Sequence, residues 1–171
     1  MLYQMTVTQF TKMLKNLNQI LDKGNAYADQ KKFPFEALLN SRLAPDQFNL
    51  IRQVQIACDT AKGCAASLTG GEAPTHEDNE KTLDELKVRI KKVITYLETF
   101  STNDFRDAAD RKITRPRWEG KYLTGIDFAT THAIPNMYFH ITTAYSILRN
   151  NGVDLGKKDY LGELPFIKNV L

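Results

Sequence analysis

Four stretches of the chain place apolar residues at every third or fourth position, the spacing that puts them along one side of a helix. In the first, Phe10, Met13, Leu14, Leu17, Ile20 and Leu21 make one stripe. This predicts a helix from about Thr8 into the high twenties. Gly24 weakens it without ending it, and Lys31-Lys32-Phe33-Pro34 ends it, because the residue before proline resists the α conformation. In the second, Ala44-Pro45-Asp46 reads as a helix start, with proline in the first turn and an acid near the positive end of the dipole. Phe48, Ile51, Val54, Cys58, Ala61, Ala65 and Leu68 then form a seam that Thr69-Gly70-Gly71 stops.

The third stretch begins with Thr75-His76-Glu77-Asp78, which has the form of an N-cap followed three positions later by an acid. Leu83, Leu86, Ile90, Val93, Ile94, Leu97 and Phe100 follow, with charged residues between them on the outer face. The fourth opens at Pro135 and runs from Asn136 to about Asn150 before Gly152, with Met137, His140, Ile141, Ala144, Ile147 and Leu148 inward. Residues 101–134 break the pattern: Ile113 to Trp118 and Lys121 to Thr124 read as two short strands of a hairpin. The tail, Val153 to Leu171, is expected to wrap the surface. The expectation is a single all-α domain over residues 1–171. It is an antiparallel four-helix bundle with a long irregular crossover before its last long helix.

Composition changes this picture little. With 42% apolar and 25% charged residues the chain is ordinary globular protein. No run approaches the 18 or so apolar residues of a membrane helix, and Met1 to Thr6 has no basic region leading into an apolar core. A cytoplasmic protein without membrane contact is expected. The formal charge of +3 is mild and points away from nucleic acid. One basic cluster, Arg111, Lys112, Arg115, Arg117 and Lys121, surrounds Trp118, and reads either as a solvated segment or as an anion site. The two cysteines, Cys58 and Cys64, lie about 120° apart on one helix, so they read as small buried thiols.

Chemistry narrows to the histidines. His76 falls in a charged capping loop, and His132 lies just before the last helix, where it could cap or pack. His140 sits on an apolar seam, and a buried imidazole needs partners for both nitrogens. Asn136 lies one turn earlier on nearly the same face, and the second helix offers Gln55 and Asp59. If those two helices face each other, His140, Asn136, Gln55 and Asp59 form a polar pocket that could take a small-molecule ligand. The alternative is a histidine satisfied within a structural network.

The stretch Ile134-Pro135-Asn136-Met137-Tyr138-Phe139-His140-Ile141-Thr142-Thr143-Ala144-Tyr145-Ser146-Ile147-Leu148-Arg149, with Asn151-Gly152-Val153 and Leu155 to Gly162, closely resembles domain-of-unknown-function family 1993. Arg52 to Lys62 resembles that family's second motif. The family belongs with the DinB/YfiT-like four-helix bundles, so the resemblance implies four long helices, a long crossover and a homodimer. Many DinB-like proteins are metalloenzyme candidates with three histidine ligands, one from the second helix and a His-x-x-x-His pair from the last. Here Asn136 and His140 occupy the paired positions, and the second helix reads Gln53-Val54-Gln55. One imidazole does not make a transition-metal site. The divalent-metal ligand set is incomplete, with His140 its sole weak candidate. The expected function is small-molecule binding or a non-catalytic role. The alternative is the metal-dependent or histidine-based hydrolase or thiol-transferase activity of the DinB-like type.

Overall fold

The computed structural model describes residues 1–167. Four long helices carry the predicted stripes: α1 (Gln9–Lys31), α3 (Leu50–Thr69), α4 (Leu83–Leu97) and α6 (Ile134–Asn150). Shorter helices, α2 (Glu36–Leu39), α5 (Gly125–Asp127) and α7 (Lys157–Leu161), fill the connections. All of the seam leucines, isoleucines and valines named for α1 are sealed from solvent, as are those of α6, and their core is continuous with Val54, Leu68, Leu86 and Val93. This is the all-α four-helix bundle the periodicity implies.

Residue pairings give the directions. Lys15 bonds Glu98 while Asp22 bonds Lys87, so α1 and α4 are antiparallel. Asn136 meets Thr60 while His140 meets Gln53, so α3 and α6 are antiparallel as well. The helices α3 and α4 run in the same sense, because residues 70–82 return along α3 before α4 begins. Lys62 donates to the Pro74 carbonyl on the way, and Arg52 reaches Asp78 near the start of α3.

That return moves two expected helix starts. The cap of α4 is Thr82, whose hydroxyl accepts from the Glu85 amide at 3.3 Å while the Glu85 carboxylate accepts from the Thr82 amide at 2.9 Å. Thr75 to Asp78 form no helix, and the Asp78 carboxylate is drawn to Arg52 and Arg89 instead of a helix end. Likewise α3 starts at Leu50 rather than at Pro45, with the Asn49 side chain accepting from the Arg52 amide.

The crossover contains the expected hairpin with a shorter first strand: β1 (Lys112–Thr114) pairs antiparallel with β2 (Tyr122–Thr124), and Pro116–Trp118, expected as strand, is a 3-10 turn. The hairpin closes against the bundle at Gly125. A Cβ there would lie 1.7 Å from the Ala108 carbonyl oxygen, and the next amide, Ile126, donates to Ala109 at 2.9 Å. From α5 the chain winds through a π-helical turn, Phe128–Ala133, directly into α6. The last helix therefore has no free start at Pro135. The wider turn lies just ahead of the proline, whose ring would otherwise meet the carbonyl four residues back. Beyond α6, α7 packs on α1, with Asn16 donating to the Tyr160 carbonyl at 2.9 Å. The end of the expected wrapping tail, 168–171, lies outside the described residues.

The close approach at Gly125 is backbone against backbone, which no rotamer change relieves. We expect Gly125→Ala to cost about 2–4 kcal/mol, read as a lowered midpoint in urea unfolding. An unchanged midpoint would mean that the crossover does not dock as described.

Candidate functional site

The two polar faces of α3 determine what the predicted pocket becomes. Gln53 and Thr60 are seven residues apart, within about 20° of each other around the helix, whereas Gln55 lies about 200° from Gln53. The first face meets α6. The second meets α4 and the returning segment.

On the first face, the His140 ring nitrogen Nδ1 lies 2.7 Å from Gln53 Oε1. The orientation of that amide is fixed by its other end, since Gln53 Nε2 donates to the Phe48 carbonyl at 2.9 Å and a carbonyl can only accept. Oε1 must then accept from His140, so Nδ1 carries the proton and the neutral ring keeps its lone pair on Nε2. That second nitrogen has no hydrogen-bond partner among the described residues, yet it is not among the sealed, unpartnered atoms. The residue is buried, 7% exposed, and Nε2 is not sealed from solvent. Burial, and then the nearby Arg52 charge, hold the His140 pKa below its ordinary value. One turn earlier, Asn136 Nδ2 donates to Thr60 Oγ1 at 2.7 Å.

Gln55 and Asp59 do not join them. Both lie on the second face, because their positions turn away from α6. Gln55 Nε2 donates to Glu80 at 2.9 Å, and Asp59 accepts from Arg89 at 2.8 Å and pairs with Lys62 at 3.0 Å. The expected four-residue pocket is thus two separate clusters, and Gln53, not Gln55, is the partner of His140. In the sequence Gln53 shares one side of its helix with Thr60, as His140 does with Asn136, but which side of α3 meets α6 is not a local property.

The second cluster is centred on Arg89, whose side chain is 1% exposed and meets Asp59, Asp78 and Glu80 at 2.8, 2.9 and 2.9 Å. Burial alone would raise the pKa values of Asp78 and Glu80. Hydrogen bonds and charge from Arg52 and Arg89 for the first, and from Arg89 and Gln55 for the second, outweigh it and hold both low. His76 is part of this cluster rather than freely solvated: its Nδ1 accepts from Lys62 at 3.0 Å, and burial and that cation lower its pKa. Cys58 and Cys64 are buried free thiols, pushed up to about 12 by burial, and so are not thiolates near neutrality. His132 packs, stacked on Phe128 at 5.4 Å.

Among the described residues no three His, Cys, Asp or Glu side chains gather closely enough to hold an ion. The positions that the DinB-like pattern gives to histidines hold one imidazole and two amides, which are weak donors for transition metals. The Gln53 carbonyl oxygen, moreover, is committed to the His140 N–H. These residues do not fit a catalytic metal.

Comparison with known proteins agrees with the fold. The model of the family described as "Domain of unknown function (DUF1993)" matches residues 2–161. The crystal structure of a DinB family member protein from Shewanella denitrificans is 65% identical, with a TM-score of 0.96, over 98% of this chain and 96% of that one. No curated protein matches the chain. No helix among the described residues is long and apolar enough to cross a membrane.

The Arg89 cluster gives a pH dependence with a definite sign. Carboxylates held below their ordinary 3.8 and 4.5 contribute stability that is complete above about pH 5 and is lost as pH falls through that range and below. Replacing Arg89 by Ala leaves three acids around a buried void, and we expect a loss of about 3–5 kcal/mol near pH 7. Because Arg89 helps hold these carboxylates low, Arg89→Ala should lose less on acidification than the parent, so the gap between their melting temperatures narrows as pH falls toward 3. A variant that melts like the parent across pH 3–7 would remove the cluster from the account of stability.

Proposed function

The chain belongs to the DUF1993 family of DinB-like bundles, and from that premise we propose that it is a non-catalytic, small-molecule-binding bundle. In it the position used for metal by many relatives has become a hydrogen-bonded imidazole–amide pair. The observation that carries this reading is the relay from the Phe48 carbonyl through Gln53 to His140. It commits the would-be ligands to each other and leaves one imidazole lone pair, on Nε2, turned to solvent. A lone pair on a neutral ring accepts a hydrogen bond from a small acid, amide or thiol. Asn136, on the same stripe, is a second polar group near it.

The same tautomer favours one further reading. An outward Nε2 of low pKa can accept a proton from a bound substrate, the histidine-based hydrolase or thiol-transferase alternative. It predicts ester or thioester turnover that rises as His140 loses its proton and disappears in His140→Gln. The binding reading predicts no turnover with either protein.

The partner we propose is a second copy of the chain. Phe48 and Phe139, 56% and 57% exposed, flank the His140–Gln53 pair, and a homodimer covering them would shelter Nε2 from bulk water. Light scattering should report twice the chain mass for the parent and the chain mass for Phe139→Asp; a monomeric parent refutes this assembly.

Two measurements test the site. Nitrogen chemical shifts of His140 should report a proton on Nδ1, a bare Nε2 and titration below 6.5, and a proton on Nε2 would contradict the relay. In thermal shift, zinc, nickel, manganese and ferrous iron should leave the untagged protein unmoved, while small acids, amides or thiols raise its melting temperature in the parent and not in His140→Ala. A zinc-dependent rise that needs His140 would return the chain to its metal-binding relatives. His140→Ala itself should cost about 1–3 kcal/mol, because it strands the buried Gln53 oxygen.

A further inference from the structure

The crossover between α4 and α6 gathers Arg111, Lys112, Arg115, Arg117 and Lys121, and none of these cations forms an ion pair among the described residues. The contrast with Arg89 and its three carboxylates is plain. Arg111 and Arg115 spend their donors on neutral acceptors, the Leu68 carbonyl at 3.0 Å and the Ser67 hydroxyl at 2.7 Å. Arg115 is half-buried, and burial together with the Arg117 charge lowers its pKa. Like charges are thus held near one another with no carboxylate paired to them among the described residues, an arrangement that favours an anion from outside.

Three of these cations, Lys112, Arg115 and Arg117, lie against a cluster of aromatic rings. His132 stacks on Phe128 with an interplanar angle of 18°, and the edge of Trp118 meets both rings at 6.1 and 6.3 Å. The Arg115 guanidinium lies 5.1 Å from the Phe128 ring centre, and Lys112 lies 4.9 Å above Tyr122. Arg117 is 3.1 Å from His132 Nε2. A guanidinium only donates, so Nε2 accepts and the neutral ring carries its proton on Nδ1, which is sealed and without a partner. The two arginines hold this ring neutral by lowering its pKa, after burial itself.

Between the hairpin and the π-helical turn, Arg117, Trp118, Lys121, Tyr122, Leu123 and His132 line an open cleft of about 580 Å³, a size suited to a small molecule. Glu119 and Thr131 complete its rim. Glu119 is held in the left-handed region at φ 51°, followed by Gly120 at φ 81°, and Lys121 donates back to the Trp118 carbonyl at 2.9 Å. This turn, closed by the Lys121 amide, brings Trp118 and Lys121 to the same cleft.

We propose that this cleft binds a small anion bearing an aromatic ring, the ring against Trp118 and Tyr122 and its carboxylate or phosphate between Arg117 and Lys121. The site is independent of the His140 reading. An aromatic ring matches the flat apolar walls, and the anionic group takes donors that no protein carboxylate occupies. The Glu119 carboxylate, on the rim, repels an anion from one side and so restricts where the charged group can sit.

Trp118 is the single tryptophan of the chain, so its fluorescence reports on this cleft, and calorimetry gives the affinity free of ligand absorbance. The probes are indole-3-carboxylate, adenosine monophosphate, inorganic phosphate, benzyl alcohol and a single-stranded deoxyoligonucleotide. Indole-3-carboxylate or adenosine monophosphate should bind saturably, at least about tenfold more tightly than phosphate or benzyl alcohol, and which of the two binds identifies the anionic group. Arg117→Gln should weaken that binding about tenfold, with the melting temperature unchanged. Lys121→Gln, at an exposed position, supplies the same comparison if Arg117→Gln unfolds. The proposal is overturned if neither ring-bearing anion saturates, if benzyl alcohol binds as tightly, if both variants bind like the parent, or if the oligonucleotide binds more tightly than either small anion.

Discussion

A guanidinium cannot be removed from water without carboxylates to answer it, and Arg89 on α4 is almost fully removed. Its three acids come from two places: Asp59 from α3, and Asp78 and Glu80 from the segment that runs back along α3. The ion cluster therefore fixes the path of residues 70–82, and that path makes α3 and α4 run in the same sense. With α4 so placed, α1 pairs antiparallel to it, and α6 takes the remaining face of α3. The His140–Gln53 contact exists because that face of α3 is left for α6.

The apolar seams were legible in the sequence because burial repeats along a helix and leaves its period in the residue order. The starts of α3 and α4 were less so. Thr75 and Thr82 are each followed three positions later by an acid, and local pattern does not distinguish them. What decides is long-range: Asp78 is engaged by Arg52 and Arg89, distant in sequence, while Glu85 is free to close the capping box on Thr82. The continuity of α6 with the turn before it was hidden for a similar reason. Pro135 suggested a fresh start, yet a wider turn ahead of a proline lets the helix pass through it.

The site was legible in its central residue and not in its partners. A lone histidine on an apolar stripe is visible in one dimension, and His140 is buried where the stripe places it. Choosing among Gln53, Gln55 and Asp59 requires knowing which side of α3 faces α6, and α3 has polar groups on two sides. Its seam alanines and cysteine are small enough to leave both of its neighbours close, so apolarity alone does not say which polar face meets which helix. The basic cluster around Trp118 was visible as composition, but its meaning came from the absence of ion pairs and the stacking of His132, neither of which sequence records.

The two candidate sites lie toward opposite ends of the same helix pair. Gln53, in the first turn of α3, holds His140, while Ser67, near its end, holds Arg115. Fourteen residues of helix separate them, about 21 Å, between about two and three Debye lengths at physiological salt. Charge on a ligand in the cleft is therefore largely screened from His140, and the seam between them is packed α3 against α6 without a break. Any coupling would have to pass through movement of α6 itself. The place for such movement is the π-helical turn carrying His132, since its wider hydrogen-bond register is the least regular part of the path from cleft to imidazole.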